Sequence, residues 1–107
     1  MEPKVLFALA QSGATSEQLT TGPDSGKKWV ITTLYICNKG AVTATVTLTH
    51  GHPAATDFTL LNTASLQQGE TVNLGSLVME NGDDMDVETI GAAMDFVAYG
   101  YEDDVVV

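Results

Sequence analysis

The run of residues 42–49 alternates strictly between apolar side chains and threonine, and no other feature constrains the fold of this chain more. Successive side chains of a β-strand point to opposite faces of a sheet, so a period of two predicts a strand with one apolar face and one threonine face. The preceding run, residues 29–38, is apolar on both faces, which predicts a central strand covered on both sides. The turn between them, residues 38–40, predicts a short hairpin in which Gly40 supplies a positive φ.

Similar short apolar runs, separated by turn clusters, continue along the rest of the chain. Helix competes with strand only in residues 85–97, where Gly91 and several β-branched residues oppose it. We therefore expect an all-β fold, an antiparallel β-sandwich or jelly-roll-like single domain of seven or eight strands covering residues 1–102, followed by a short acidic and apolar tail at 103–107. Nine segments are candidates for these seven or eight strands: residues 4–11, a short segment near 17–21, 29–38, 42–49, 58–66, 71–74, a short segment within 75–80, 85–90 and 94–102.

Charge is distributed unevenly over a chain whose formal net charge is −10. Residues 1–53 contain four lysines and three acids, whereas residues 54–107 contain eleven acids and neither lysine nor arginine. Binding to phosphate groups requires cationic side chains, so this balance argues against a nucleic-acid partner and against anionic membranes. No run of about 18 apolar residues predicts a transmembrane helix.

The N-terminal region and the cysteine content indicate where the protein folds. The apolar run at residues 5–10 could be the core of a signal peptide, but it is short and follows Glu2, so we interpret it as the first strand. Cys37 is the single cysteine, which excludes an internal disulfide. Its place in an apolar strand predicts a buried thiol in a protein made in a reducing cytoplasm.

The acidic segment at residues 80–88 is the first candidate for chemistry. Gly82 precedes its acids instead of following them as in a calcium loop, and Asp84, Asp86 and Glu88 share one strand face. We interpret the row as a solvated face, with a calcium site as the alternative. A glycosidase would need two acids across a groove with aromatic platforms, and most aromatic residues here, Trp29 included, occupy positions typical of a core.

Other catalytic and metal motifs give little support for an enzyme. His50 and His52 could present two imidazoles to a metal, but no third ligand is near in sequence, so we interpret them as surface histidines. Nucleotide-binding glycine motifs and a Ser/His/Asp arrangement are absent. We expect no catalytic residues, no metal site and no cofactor.

The threonine face consists of Thr43, Thr45, Thr47 and Thr49. Between residues 29 and 56 the only formally charged residue is Lys39, although soluble proteins usually protect sheet surfaces with charge. The face could be covered by another part of the chain, it could be an ordinary solvent face, or it could be a subunit contact, since interfaces are depleted of charge at their centre. We take it as a candidate subunit contact, and the tail valines Val105, Val106 and Val107 as a second candidate contact.

Several segments of the chain resemble a widespread group of small all-β bacteriophage virion proteins. The shared features are turn and strand signals spread over nearly the whole chain except the tail: Gly26-Lys27, Ile36-Cys37-Asn38, Gly69-Glu70-Thr71 and Gly82-Asp83. The resemblance implies a β-sandwich on a phage particle and brings no catalytic residues with it.

The function implied by this resemblance is structural. We expect a capsid decoration (cement) protein that stabilises the shell by contacts with the major capsid protein or other virion proteins, as a homo-oligomer, a dimer or a trimer. The alternatives are a tail, neck or fibre-associated module, and a small receptor- or carbohydrate-binding β-sandwich. The expected location is the virion, after synthesis in the host cytoplasm.

Overall fold

The fold is all-β, as predicted, and two antiparallel sheets account for its strands. The computed structural model describes residues 3–52 and 57–105. Within them lie nine strands: β1 (Lys4–Ala10), β2 (Ser16–Thr20), β3 (Lys27–Asn38), β4 (Ala44–Gly51), β5 (Phe58–Leu66), β6 (Thr71–Asn73), β7 (Leu77–Glu80), β8 (Asp84–Ile90) and β9 (Met94–Asp104). Their bounds agree with the predicted strands to within two residues at nearly every end.

The strand order is that of a jelly roll. Sheet A has the order β1-β9-β3-β6, with β7 also paired to β3, and sheet B has the order β2-β8-β4-β5. Strands β6 and β7 pair with opposite ends of β3, so together they fill one sheet position and the nine strands occupy eight places. The first strand lies beside the last, the second beside the eighth and the fourth beside the fifth. The chain thus folds as one long antiparallel hairpin whose two arms roll into two facing sheets.

The core lies between the inner faces of the two sheets. Alternate residues along β3, β4, β8 and β9 are buried there, which is why the period of two in the sequence was informative. Trp29 is 8% exposed and belongs to this core, as predicted. The largest of the fully buried side chains are those of Phe96, Ile31, Leu34, Ile36, Leu48, Leu66, Met79, Met85, Met94, Val46, Asn38 and Asp83.

The predicted hairpin at residues 38–40 is wrong, because β3 and β4 belong to different sheets. Asn38 is buried at this corner, where its Nδ2 donates hydrogen bonds to the carbonyl oxygens of Val42 and Leu66, both at 2.9 Å. Gly40 is not among the described residues with a positive φ. A glycine is needed there for space, since a Cβ would overlap the Cβ of Ala92. Where the chain crosses between the sheets, the buried Asn38 amide thus satisfies two backbone carbonyl groups that have no hairpin partner across from β3.

The C-terminal strand extends past the expected end of the domain at residue 102. Asp103 and Asp104 continue β9 and lie opposite Lys28 and Lys27. The backbone N–H of Val105 then donates a hydrogen bond of 2.9 Å to the carbonyl oxygen of Gly26. Val106 and Val107 lie outside the described residues, so their predicted contact role stays a prediction.

Candidate interaction surfaces

The threonine row lies on the outer face of sheet B. Strand β4 occupies an interior position in this sheet, between β8 and β5. Its buried residues point to the core, and Thr45, Thr47 and Thr49 point away from it and are half-buried. Thr43 precedes the strand and is exposed. The alternation is confirmed from Ala44 to Thr49, where three of the four candidate threonines form one row, but Val42, which was expected on the core side, is 54% exposed.

The surroundings of this row are charged on one side and neutral on the other. Thr47 lies directly opposite Glu88 of β8, and Thr49 lies opposite Asp86. On the other side are Ser65 and Thr59 of β5. The charge-free stretch of the sequence therefore does not form a charge-free surface, because the fold places the carboxylates of β8 beside the threonines.

That carboxylate row is formed by β8. Asp86 and Glu88 are exposed on the outer face, as predicted, while Met85, Val87 and Thr89, which alternate with them, are buried. Partial desolvation raises the pKa of Asp86, and the neighbouring carboxylates Asp84 and Asp57 raise it further. A shallow cavity of about 330 Å³ follows the row and is lined by residues of β2, β4 and β8.

The two histidines converge on a buried carboxylate. His50 Nε2 lies 3.1 Å from Asp83 Oδ2, and His52 Nε2 lies 3.5 Å from Asp83 Oδ1. The backbone N–H of Glu80 donates a hydrogen bond of 2.9 Å to Asp83 Oδ2. Asp83, which precedes the predicted solvated row of Asp84, Asp86 and Glu88, is buried, with 2% exposure.

The interpretation of His50 as a surface residue is wrong, because its side chain is only 14% exposed. The histidines instead tie the end of β4 to the turn between β7 and β8. Among residues 3–52 and 57–105, no group of three or more histidine, cysteine, aspartate or glutamate side chains has the geometry to hold a metal ion. The same residues include no helix long and apolar enough to cross a membrane.

A second surface, which the sequence did not reveal, lies on the outer face of sheet A. The structure places apolar and aromatic residues from four neighbouring strands side by side there. We call this set the sheet A face: Val5 and Ala8 of β1, Val97, Tyr99 and Tyr101 of β9, Val30, Thr33 and Tyr35 of β3, and Val78 of β7.

The centre of the sheet A face carries no charge, and much of it is open to solvent. Val5 is 52% exposed, Val78 is 49%, Tyr35 is 41% and Tyr99 is 39%. The rings of Tyr35 and Tyr99 pack edge to face with centroids 6.2 Å apart. A surface that is rich in tyrosine and valine and free of charge at its centre has the composition of a protein interface.

Ionic groups border the sheet A face at its two ends. At one end, Lys39 Nζ lies 2.7 Å from Asp95 Oδ1. At the other end, Lys28 lies opposite Asp103 of β9 and Glu80 of β7. The arrangement is a neutral centre with a polar rim, and the rim charges of both signs lie near one another.

In the sequence, this face is visible only as the apolar pattern on both sides of β3, which does not predict an open surface. Strand β3 is apolar on both faces, as predicted, and it is central in its sheet, as predicted. The structure covers it on the inner side only, so the predicted cover on both sides is wrong within this chain. For the same reason Tyr35 and Tyr99 do not occupy core positions. Phe58, at the start of β5 in sheet B, is 57% exposed and does not occupy one either. Cys37, beside this face, is half-buried.

Comparisons with known proteins give a likeness at the level of fold. No protein-family model and no curated protein matches the chain. Among solved structures, a chain of the T13 IBDV viral particle matches with a TM-score of 0.50 and 11% identity. The match covers 92% of this chain and 35% of the matched chain. The structure of the infectious bursal disease virus Gt strain matches with a TM-score of 0.45 and 14% identity, over 95% of this chain and 30% of that one. The likeness is one of fold. This chain spans about a third of the length of the two structures.

Proposed function

We propose that this protein is a structural component of a bacteriophage particle, a capsid decoration protein that stabilises the shell by protein–protein contacts. Three observations support the proposal: the jelly-roll topology, the likeness in fold to a chain of a viral particle, and the resemblance of the turn and strand motifs to small phage virion proteins. The jelly roll also occurs in lectin and cupin domains, so fold alone does not select a function.

The single observation that carries the proposal is the sheet A face. A monomer rarely leaves a contiguous apolar surface spanning four strands open to water, and such surfaces mark interaction sites. Val5, Val78, Tyr35 and Tyr99 account for four of the eight large hydrophobic residues that are exposed among the described residues. A protein that works by fitting against neighbours needs a surface of this kind.

The proposed partners are the major capsid protein or other virion proteins, and further copies of this chain as a dimer or a trimer. The threonine row Thr45, Thr47 and Thr49, together with Thr43 just before the strand, is proposed as a contact. Because Asp86 and Glu88 lie beside it, the partner surface at this row would carry basic groups. The tail valines, from Val105 on, are proposed as a further contact. In this proposal the protein is made in the host cytoplasm, takes its place on the virion and catalyses no reaction.

The experiment that tests the location is a copy-number measurement on purified virions. A decoration protein is present in the hundreds per particle, whereas a tail, neck or fibre component is present at about a dozen or fewer, so quantitative mass spectrometry against the major capsid protein separates the two. Material found only free in infected-cell lysates contradicts any virion role.

The threonine row is tested by the double variant Thr45→Lys/Thr47→Lys. Two lysines beside the carboxylate row would not disturb folding, since both positions face outward. Loss of particle binding, measured by co-sedimentation with virions that lack the protein, supports the row as a contact. The matched control is Thr21→Lys/Ser25→Lys, which places the same charge on exposed residues of the loop between β2 and β3, away from both candidate surfaces. Normal binding by the first variant means that the row is only solvated.

A second function is favoured by one observation, the exposure of Tyr35 and Tyr99. Exposed aromatic rings are what a carbohydrate- or receptor-binding β-sandwich requires, because sugar rings pack on them. A glycan array probed with the full chain and with Tyr35→Ala/Tyr99→Ala distinguishes the two functions. Binding that depends on the tyrosines, by a protein absent from capsids, favours the binding module.

A further inference from the structure

The distribution of charge over the two sheets differs sharply. The four strands of sheet B contain Glu17, Asp84, Asp86 and Glu88 and neither lysine nor arginine. All four lysines lie on the strands of sheet A or in the turn that follows β3. Three of them pair with acids: Lys4 with Glu102, Lys27 with Asp104 and Lys39 with Asp95. The strands of sheet A also contain five acids, Glu80, Asp95, Glu102, Asp103 and Asp104, so with the four lysines this side has a net charge of −1, whereas the strands of sheet B have −4. Sheet B is therefore the more negative of the two sheets.

We propose that the sheet A face is occupied by a second copy of this chain, in a two-fold, face-to-face dimer. The inference rests on the proposed structural role and names one partner of that same surface. It places the subunit contact on the sheet opposite to the threonine row.

The charge distribution is what selects a second copy. Two molecules with a net charge of −10 repel each other, so self-association needs a geometry that keeps their carboxylates apart. In a face-to-face pair through sheet A, the two outer faces of sheet B point in opposite directions. They lie farther apart than the 20 Å thickness of one molecule, well beyond the screening length of about 8 Å at physiological salt.

The same reasoning excludes pairing through the threonine row. Asp86 and Glu88 lie directly opposite Thr49 and Thr47, so a two-fold contact centred on these threonines brings two carboxylate rows together. Asp86 already has a raised pKa, from partial desolvation and from the carboxylates of Asp84 and Asp57. Like charges in such proximity oppose association at a protein interface.

The size of the sheet A face is adequate for a stable dimer. The four strands have 7, 11, 12 and 4 residues. At about 3.3 Å per residue and about 4.8 Å between strands, they cover on the order of 540 Å² in projection. Side-chain relief makes the accessible area larger than the projected area. A stable interface buries about 600–1,000 Å² on each partner, so the face reaches the lower end of that range. Its rim also suits a two-fold contact, because Lys28 and Asp103, or Lys39 and Asp95, offer both signs of charge at each end.

Sedimentation equilibrium of the full chain over a concentration series tests the proposal. The wild type is expected to be a dimer at micromolar concentration. Tyr35→Lys/Tyr99→Lys, which buries two charges in the contact, is expected to raise the dimer dissociation constant at least 100-fold. Thr45→Lys/Thr47→Lys is the matched control on the opposite face and should leave the constant within about twofold. Far-UV circular dichroism and thermal unfolding verify that each variant is folded.

Salt provides a second readout that needs no variant. Because the paired surfaces are neutral and the molecules repel, added salt should tighten the dimer, whereas a contact between acidic and basic surfaces weakens with salt. A wild type that stays monomeric at 100 µM overturns the inference. So does a trimer, or a dimer that the threonine variant dissociates and the tyrosine variant leaves intact.

Co-sedimentation of the wild-type protein with virions that lack it separates this inference from the proposed function. A monomeric wild type that still binds particles contradicts the dimer and leaves the decoration role standing. A wild-type dimer that never associates with particles supports the dimer and contradicts the decoration role.

Discussion

The indole Nε1 of Trp29 donates a hydrogen bond of 3.0 Å to Oε2 of Glu102 at the end of the sandwich. Lys4 Nζ lies 3.3 Å from the other carboxylate oxygen of Glu102. The bond from Trp29 lowers the pKa of Glu102 below the ordinary value for glutamate, and Lys4 lowers it further. One carboxylate thus links the first, third and ninth strands at the edge of the core.

Fluorescence should report the titration of Glu102, because Trp29 is the single tryptophan. A lowered pKa means that ionised Glu102 stabilises the fold above its unfolded pKa and that this stabilisation is lost as the pH falls through the folded pKa. We expect a change in tryptophan emission with a midpoint below about 4.3, the value for an unperturbed glutamate. Glu102→Gln should remove this transition. Asp103→Asn, the neighbouring acid on β9, should leave it in place, and a transition that survives in Glu102→Gln contradicts the assignment.

Removal of the Asp83 carboxylate should destabilise the protein. Asp83→Ala removes the carboxylate that accepts a hydrogen bond from the N–H of Glu80 and that His50 and His52 share. A buried polar group that loses its partner costs about 1–3 kcal/mol. Urea unfolding measures the loss, and Asp24→Ala in the exposed loop before β3 should change the free energy of unfolding by less than about 0.5 kcal/mol. Equal effects of the two substitutions would remove any special role for Asp83.

Neutralising Asp86 should have the opposite sign. Because its pKa is raised by desolvation and by Asp84 and Asp57, the folded protein holds this proton to a higher pH than the unfolded chain does. Its contribution therefore becomes unfavourable as the pH rises through the folded pKa and stays so above it. At neutral pH, Asp86→Asn should raise the free energy of unfolding by on the order of 0.5 kcal/mol, the scale of like-charge pairs on a sheet.

The pH dependence of the Asp86 effect supplies its control. The gain should shrink as the pH approaches about 3, below the pKa of an unperturbed aspartate, where wild-type Asp86 is itself protonated. Thermal unfolding at a series of pH values measures both effects. A gain that persists unchanged at low pH would indicate a packing effect instead of an electrostatic one.

The close approach of β3 and β9 depends on Gly100. A Cβ at this position would overlap the carbonyl oxygen of Val30 and lie 2.9 Å from the Cα of Ile31, next to the bulge in β3. Gly100→Ala must therefore separate two paired strands, which we expect to cost about 3 kcal/mol or to prevent folding. Gly13→Ala, where nothing lies within 4 Å of the added Cβ, is the matched control and should leave the unfolding midpoint within about 1 °C. A tolerated Gly100→Ala would mean that the bulge can shift.

The chemistry of the surfaces was predictable only in part. Asp86 and Glu88 were expected on one solvated strand face, and they lie there. The threonine row was expected as well, but its carboxylate neighbours could not be, since they come from β8, about 40 residues farther along the chain. The convergence of His50 and His52 on Asp83 was missed for the same reason. The pattern of the sequence does not show which distant strands will pair, so contacts between residues about 40 positions apart could not be predicted from it.

What the sequence determined by itself is the local structure: the strands, nearly all of their ends, and the side of each strand that faces a core. These follow from the period of two and from turn residues, which act over a few neighbouring positions. The tertiary structure alone decided which strands pair, that β3 and β4 part at Asn38 into different sheets, and that one apolar face of β3 is left open. Pairing is a competition among distant segments for one core, so a strand with two apolar faces can bury both only if the rest of the chain, or another molecule, supplies a second layer.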